Sequence, residues 1–306
     1  MPPWFDVPSD NEFAIPIAIR TQKHRKKLEL KTFAYQSSKI FYRTVGKGKP
    51  VVLIHGFAED GDVWKNQIEF LKQHCYLIIP DLPGSGKSEL INDMSIEGMA
   101  ELVKEIITFE APKFPHILSE AEGQGAEGVF LAGHSMGGYI ILAIAEKYPN
   151  MLSSIALVHS AAFADSDEKK ANRLKSIEFI KKNGAFEFLK AVITDLFTET
   201  WAANNPETVD RQIEKSKDFT DETIIAYYEA MINRPDRTSV LKNFCKPILF
   251  LIGEHDKAIP FEQSMQQCYL PDQSHIHILR NTAHMGMFEE PGKVNSAILQ
   301  FINFSF

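Results

Sequence analysis

The chain has 306 residues, of which 44% are hydrophobic and 24% charged, a balance that excludes a disordered, collagenous or low-complexity protein. Its formal net charge of −7 opposes nonspecific attraction to nucleic acid or anionic membrane surfaces and says nothing of the substrate. The 3 cysteines, Cys75, Cys245 and Cys268, lack CxxC spacing and read as reduced, buried thiols of a cytoplasmic protein.

From the N-terminus, Met1-Pro-Pro-Trp-Phe-Asp-Val-Pro has neither a basic nor an apolar signal region and reads as a mature terminus. The basic cluster Lys23-His24-Arg25-Lys26-Lys27 reads as a solvated strand edge, and no apolar run reaches the roughly 20 residues of a membrane span. Thr32 to Thr44 predicts a hairpin around Gln36-Ser37-Ser38. Compact apolar runs follow at Val51–Ile54, Tyr76–Ile79, Val129–Ala132, Ile155–Val158 and Ile248–Ile252. Continuous rather than alternating hydrophobicity is what parallel strands need when helices cover both faces, so these runs predict an α/β fold on a central, mainly parallel sheet. Ile96, Met99, Val103, Ile106 and Ile107 share one helical face behind Ser95 as N-cap. Met136 to Tyr148 is apolar nearly all round and predicts a buried helix. Ala111 to Gly128, with 2 prolines and 3 glycines, reads as a long loop.

Between about Ala161 and Asn243 the strand-like runs stop and charged helical stretches rich in aromatics take over, before strand-like sequence resumes at Pro247. This predicts a helical insertion at residues 161–240 in a discontinuous core of residues 28–160 and 241–306, with residues 1–27 as an N-terminal extension.

Gly133-His134-Ser135-Met136-Gly137-Gly138 follows a strand run and opens the buried helix, the context of a nucleophile elbow: bulk at Gly133 or Gly137 would collide with backbone, and the turn lifts the Ser135 hydroxyl above the sheet. A serine hydroxyl needs a base, and the base an orienting acid. Gly253-Glu254-His255-Asp256 and Asn281-Thr282-Ala283-His284 follow strand runs, so in a parallel sheet they emerge at the same carboxyl edge as Ser135. Asp256 is the expected acid and His284 the base, with Asp165 the fallback acid. Backbone N–H groups of Phe57 and Met136 are the expected oxyanion donors. Gly56 permits close approach there, His55 fixes the loop by hydrogen bonding, and His134 packs or bonds beside the elbow. His159, Phe163, Trp201 and Met287 are candidate pocket-lining residues. His275 and His277 share a strand face without a third ligand, so no metal site is expected. Gly84-Ser85-Gly86-Lys87-Ser88 lacks the first glycine of a phosphate-binding loop, Asp81 standing in its place.

Together, His55-Gly56-Phe57, Asp81 to Ser88, Gly133 to Gly138, Gly253 to Asp256 and Ala283-His284 resemble the α/β-hydrolase superfamily from about Lys31 to the C-terminus. The resemblance implies a mainly parallel eight-stranded sheet, a helical cap inserted after the sixth strand, and a serine hydrolase with no metal or organic cofactor. Ser135 in place of an aspartate separates the chain from haloalkane dehalogenases and epoxide hydrolases, and the His-Gly-Gly-Gly run of another esterase branch is absent. The general likeness is to capped esterases, C–C-bond hydrolases and cofactor-free perhydrolases. The loop at 111–128 is longer than usual in that group, and residues 1–27 match nothing in it. The expected partner is a small or medium, partly apolar carboxylic ester or related acyl compound. C–C cleavage of a dienoic diketone, acyl transfer and non-catalytic ligand binding remain open, as does the oligomeric state.

Overall fold

The computed structural model describes residues 28–114 and 128–306, and in it the apolar runs become one sheet. The strands are β1 (Glu29–Tyr35), β2 (Ser38–Gly46), β3 (Lys49–Ile54), β4 (Cys75–Pro80), β5 (Val129–His134), β6 (Leu152–Val158), β7 (Ile248–Gly253) and β8 (Ser274–Leu279). They form an 8-stranded sheet in the order β1-β2-β4-β3-β5-β6-β7-β8. β1 and β2 run antiparallel and β2 pairs antiparallel with β4; the remaining neighbours are parallel. All residues of β5, β6 and β7 are buried, as continuous hydrophobicity requires of strands covered on both faces. The hairpin turns at Gln36-Ser37, with Gln36 at φ 54°, and its strands extend beyond the predicted limits at both ends.

In the core, α1 (Lys65–Leu71), α2 (Ile96–Glu110) and α3 (Met136–Lys147) are joined after β6 by six helices. These are α4 (Asp167–Asn183), α5 (Ala185–Thr194), α6 (Glu199–Asn204), α7 (Pro206–Lys215), α8 (Asp221–Asn233) and α9 (Thr238–Asn243), which make the inserted helical cap. After β7 come α10 (Phe261–Cys268), α11 (Gly286–Glu289) and α12 (Pro291–Ser305). Ser95 caps α2 by accepting from the Gly98 amide at 3.0 Å. α3 is buried from Met136 to Ala145, which places Ser135 at the centre of the sheet's carboxyl edge.

Polar contacts dock the cap. Tyr227 of α8 donates to the Pro83 carbonyl at 2.7 Å and meets Ser85 Oγ at 2.8 Å. Arg237 bonds Glu146 at 3.0 Å and Glu97 at 2.5 Å, and Lys215 pairs with Asp60 and Asp62. In the glycine-rich turn beneath Tyr227, a Cβ on Gly86 would fall 2.6 Å from Asp81 Oδ2. A carboxylate thus packs against that turn, opposite in sign to the needs of a phosphate site.

The cysteines differ from expectation at one position: all are free, Cys75 and Cys268 are buried, and Cys245 is exposed. The 111–128 segment opens with a short helical turn at Ala111–Lys113; residues 115–127 and 1–27, including the basic cluster, lie outside the described residues. Among the described residues no helix is long and apolar enough to cross a membrane.

Tyr227→Phe leaves the Pro83 carbonyl and Ser85 hydroxyl short of a buried partner. It should cost about 1–3 kcal/mol, read as a lower urea midpoint with an unchanged slope.

Candidate active site

Ser135 sits between β5 and α3 at φ 49° and ψ −115°, a conformation non-glycine residues avoid. The turn closes because its neighbours lack side chains. A Cβ on Gly133 would lie 2.5 Å from the Gly137 carbonyl carbon, and one on Gly137 would lie 2.7 Å from the His55 carbonyl oxygen. The Ser135 amide donates to Val158 O at 3.0 Å, and its carbonyl accepts from Gly138 N at 2.9 Å and Ser160 Oγ at 2.7 Å.

The structure brings His284 and Asp256 together. His284 Nδ1 lies 2.8 Å from Asp256 Oδ2, while Asp256 Oδ1 accepts from the Ala258 and Ile259 amides, both at 2.9 Å. Burial raises the Asp256 carboxyl, but the His284 charge and the hydrogen bonds outweigh it and hold the group well below the usual carboxylate range. An ionised acid fixes the proton of His284 on Nδ1 and leaves the Nε2 lone pair free. Ser135 and His284 line one cavity of about 740 Å³, including its open mouth. Its walls include Phe57, Tyr139, Leu196, Tyr228 and Ile259.

His55 is buried, meets the Gly56 carbonyl through Nδ1 at 2.9 Å and accepts from the Leu82 amide at Nε2, 2.9 Å away. Burial lowers its pKa, in keeping with a neutral ring that ties the β3 loop to the turn after β4. Among the described residues neither the Phe57 nor the Met136 amide has an acceptor within the protein. A Cβ on Gly56 would lie 3.1 Å from Ser135 Cβ, so this loop and the elbow are in contact.

The candidate lining residues lie elsewhere. His159 is buried behind Asp256, with Nδ1 at 3.4 Å from Asp256 Oδ2 and without hydrogen-bond alignment. Burial pushes it down to about 4, so its ring is neutral at neutral pH. Trp201 stacks on Phe197 at 5.0 Å and 8° and faces an outer cavity beside His255 and Asn281. Met287 is packed in the core, where its carbonyl receives Asn66. Phe163 is half-buried and presents its carbonyl to Arg234. Phe163 and Trp201 are placed by the packing of the cap, Met287 by the course of the chain after β8, and His159 by the end of β6, where it packs against Asp256. Asp165, the fallback acid, is bound to Arg173 at 2.6 Å and Arg234 at 3.0 Å. Glu254 and His255, which precede Asp256, are exposed.

Ligand atoms of His159, Asp256 and His284 lie within 4.8 Å of one another, which is metal-like spacing. The Asp256 oxygen and the His284 nitrogen are, however, already bonded to each other.

Sequence reasoning missed Glu59. Its Oε2 accepts from the Gly56 amide at 2.6 Å and meets His134 Nδ1 at 2.9 Å. His134 Nε2 meets the His284 carbonyl at 3.0 Å. With Glu59 ionised, both partners of the His134 ring are acceptors, an arrangement that favours a proton on each ring nitrogen. Burial disfavours that charge, but Glu59 and the His284 carbonyl raise the His134 pKa above its ordinary 6.5. Burial likewise opposes the Glu59 charge, yet His134 and the Gly56 amide lower its pKa below the ordinary 4.5. One buried pair, Glu59 and His134, therefore joins the loop after β3, the turn at Ser135 and the loop that carries His284. The only sequence signal was an acid three residues beyond Gly56, in the same loop as Phe57.

The His134 contribution to stability is complete below pH 6.5 and fades as pH rises through the raised value. The Glu59 contribution is complete above pH 4.5 and fades as pH falls through the lowered one. The stability lost in Glu59→Gln should therefore be greatest between pH 4.5 and 6.5, measured by urea unfolding across pH. Nitrogen-15 spectra at neutral pH should show His134 doubly protonated in the wild type and singly protonated in Glu59→Gln.

A sequence profile of the family described as serine aminopeptidase, S33 matches residues 47–291. Lipase 1 of Psychrobacter immobilis is 27% identical over 279 residues, 89% of this chain and 83% of its own. The 2-hydroxy-6-oxo-6-(2'-aminophenyl)hexa-2,4-dienoic acid hydrolase of Metapseudomonas resinovorans is 25% identical, over 86% of this chain and 87% of its own. Among solved structures, a thermophilic esterase from Thermogutta terrifontis superposes with a TM-score of 0.79 at 28% identity, covering 91% of this chain and 99% of its own.

Proposed function

Since the chain belongs to the serine aminopeptidase S33 family of the α/β-hydrolase superfamily, we propose that it is a serine hydrolase cleaving a small or medium carboxylic ester through an acyl-enzyme. The observation that carries this reading is the shared cavity: Ser135 on its tight turn and His284, bonded to Asp256, line the same space. In this reading residues 28–160 and 241–306 are the core, and residues 161–240 are the cap over the site.

Ser135 Oγ attacks the ester carbonyl as its proton passes to His284 Nε2, the nitrogen not engaged by Asp256. Asp256 stabilises the imidazolium so formed without taking its proton. The oxyanion is held by the Phe57 and Met136 amides, whose N–H groups have no acceptor among the described residues. The carbonyl re-forms as His284 protonates the departing alcohol. Water then loses a proton to His284, attacks the acyl carbon and releases the acid, and the proton returns to Ser135 Oγ. Asp256 keeps its charge through the cycle because its oxygens accept two amides and the imidazole.

An ester is favoured over the free N-terminus of a peptide by charge. An α-ammonium entering this cavity meets Lys169, Arg173 and Lys257, and the lining carboxylate, Glu59, is already bound to His134 and Gly56.

A fluorophosphonate should label the wild type on Ser135, and p-nitrophenyl esters of short and medium chain should be turned over. Ser135→Ala should abolish labelling and lower kcat on the order of 10⁶-fold, and Asp256→Asn should lower it on the order of 10⁴-fold. An unlabelled wild type, or equal turnover by Ser135→Ala, overturns the reading.

A further inference from the structure

The cavity that holds Ser135 carries an uneven charge. Three cationic residues line it, Lys169 and Arg173 one turn apart on α4 and Lys257 beside the acid, against the single carboxylate of Glu59. Glu59 is neutralised by His134. Among the described residues Asp165 is the only carboxylate paired with these cations, and it is divided among Arg173 at 2.6 Å, Arg234 at 3.0 Å and Lys169 at 4.0 Å. Lys169 spends a further proton on the Ala258 carbonyl at 3.0 Å. Among the described residues Lys257 has neither an ion pair nor a hydrogen bond. One carboxylate thus faces three cations, a fourth stands alone at the cavity wall, and this occurs in a chain whose net charge is −7.

The adjoining cavity has the opposite character. It shares Phe57, Glu59, Val192 and Leu196 with the first and adds Asp60 and Asp218 beside Lys215, which Asp60 and Asp62 already neutralise. The two lobes therefore differ in electrostatic sign on either side of Phe57. Low-dielectric walls strengthen such a difference, because field lines concentrate in a cleft rather than dissipating in bulk water. Excess cation in a partly enclosed cavity is a desolvation cost that an arriving anion relieves.

Resting on the ester-hydrolase reading, we propose that the substrate carries an anionic group, a carboxylate on its acyl or alcohol part, which Lys257 with Lys169 and Arg173 receives while the ester carbonyl lies at Ser135. The uncharged remainder of the ester extends towards the lobe beyond Phe57. The enzyme then selects acid-bearing esters, such as half-esters of dicarboxylic acids or esters of hydroxy acids, over neutral esters of equal length.

The test compares two matched pairs: mono-p-nitrophenyl glutarate with p-nitrophenyl pentanoate, and butyryloxyacetate with ethyl butyrate followed by proton release. The anionic member of at least one pair should have the higher kcat/KM by about tenfold or more, as a charge-assisted contact gives. The gain should appear mainly in KM and shrink as ionic strength rises. Lys257→Met should reduce the anionic-to-neutral ratio about tenfold and Lys257→Glu should reverse it. Lys257 is exposed, and thermal melting of both variants checks that they fold. Fluorophosphonate labelling accompanied by equal or greater activity on both neutral esters overturns this proposal and leaves the hydrolase reading standing. A ratio that survives Lys257→Glu in a folded protein also overturns it. Absence of labelling overturns both.

Discussion

The backbone inversion at Ser135 is the constraint around which the rest is arranged. A non-glycine residue at φ 49° costs on the order of 1–3 kcal/mol, and it persists only where neighbours determine it. Here they do so from three directions. β6 takes the Ser135 amide through Val158, the start of α3 returns Gly138 N–H to the Ser135 carbonyl, and Ser160 adds its hydroxyl. Ser160 occupies the volume that a side chain on Gly138 would fill. Buried strands on both sides of β5 and a helix apolar nearly all round supply the rigidity that keeps the serine in this posture.

Around that turn the site is assembled by loops that share no local sequence, and electrostatics joins them. Asp256 and Glu59 are both buried carboxylates kept ionised, by different means. Asp256 has two backbone amides and the His284 ring, whereas Glu59 has one amide and a histidine with acceptors on both sides. The His134 ring, its pKa raised by Glu59, lies 4.7 Å from that of His284. His159, neutral and packed against Asp256, closes the far side without adding charge, and Gly286 leaves room for its ring.

What was legible in the sequence follows from which constraints are local. Val129 to Ala132 and Ile248 to Ile252 announced themselves because a strand covered on both faces must be apolar throughout. Gly133 and Gly137 did so because a tight turn excludes side chains, and His284 and Asp256 because a parallel sheet delivers its strand ends to one edge. The cap aromatics were legible as a helical insertion but not as a pocket: Trp201 lies flat on Phe197 rather than facing Ser135, a choice made by tertiary packing. Glu59 and His134 meet across 75 positions, beyond any spacing rule. Lys169 and Arg173 read as an ordinary charged helix face, and only the fold turns that face towards the serine.

One contact between cap and core is made without side chains. The His284 amide donates to the Leu196 carbonyl at 2.9 Å, on the segment between α5 and α6. A bond of backbone to backbone places no demand on which residue stands at either end. Mutation can therefore rewrite the cap residue by residue while His284 keeps its tether to it. Freedom of the cap to vary and retention of its attachment are in this way assigned to different atoms of the same peptide chain.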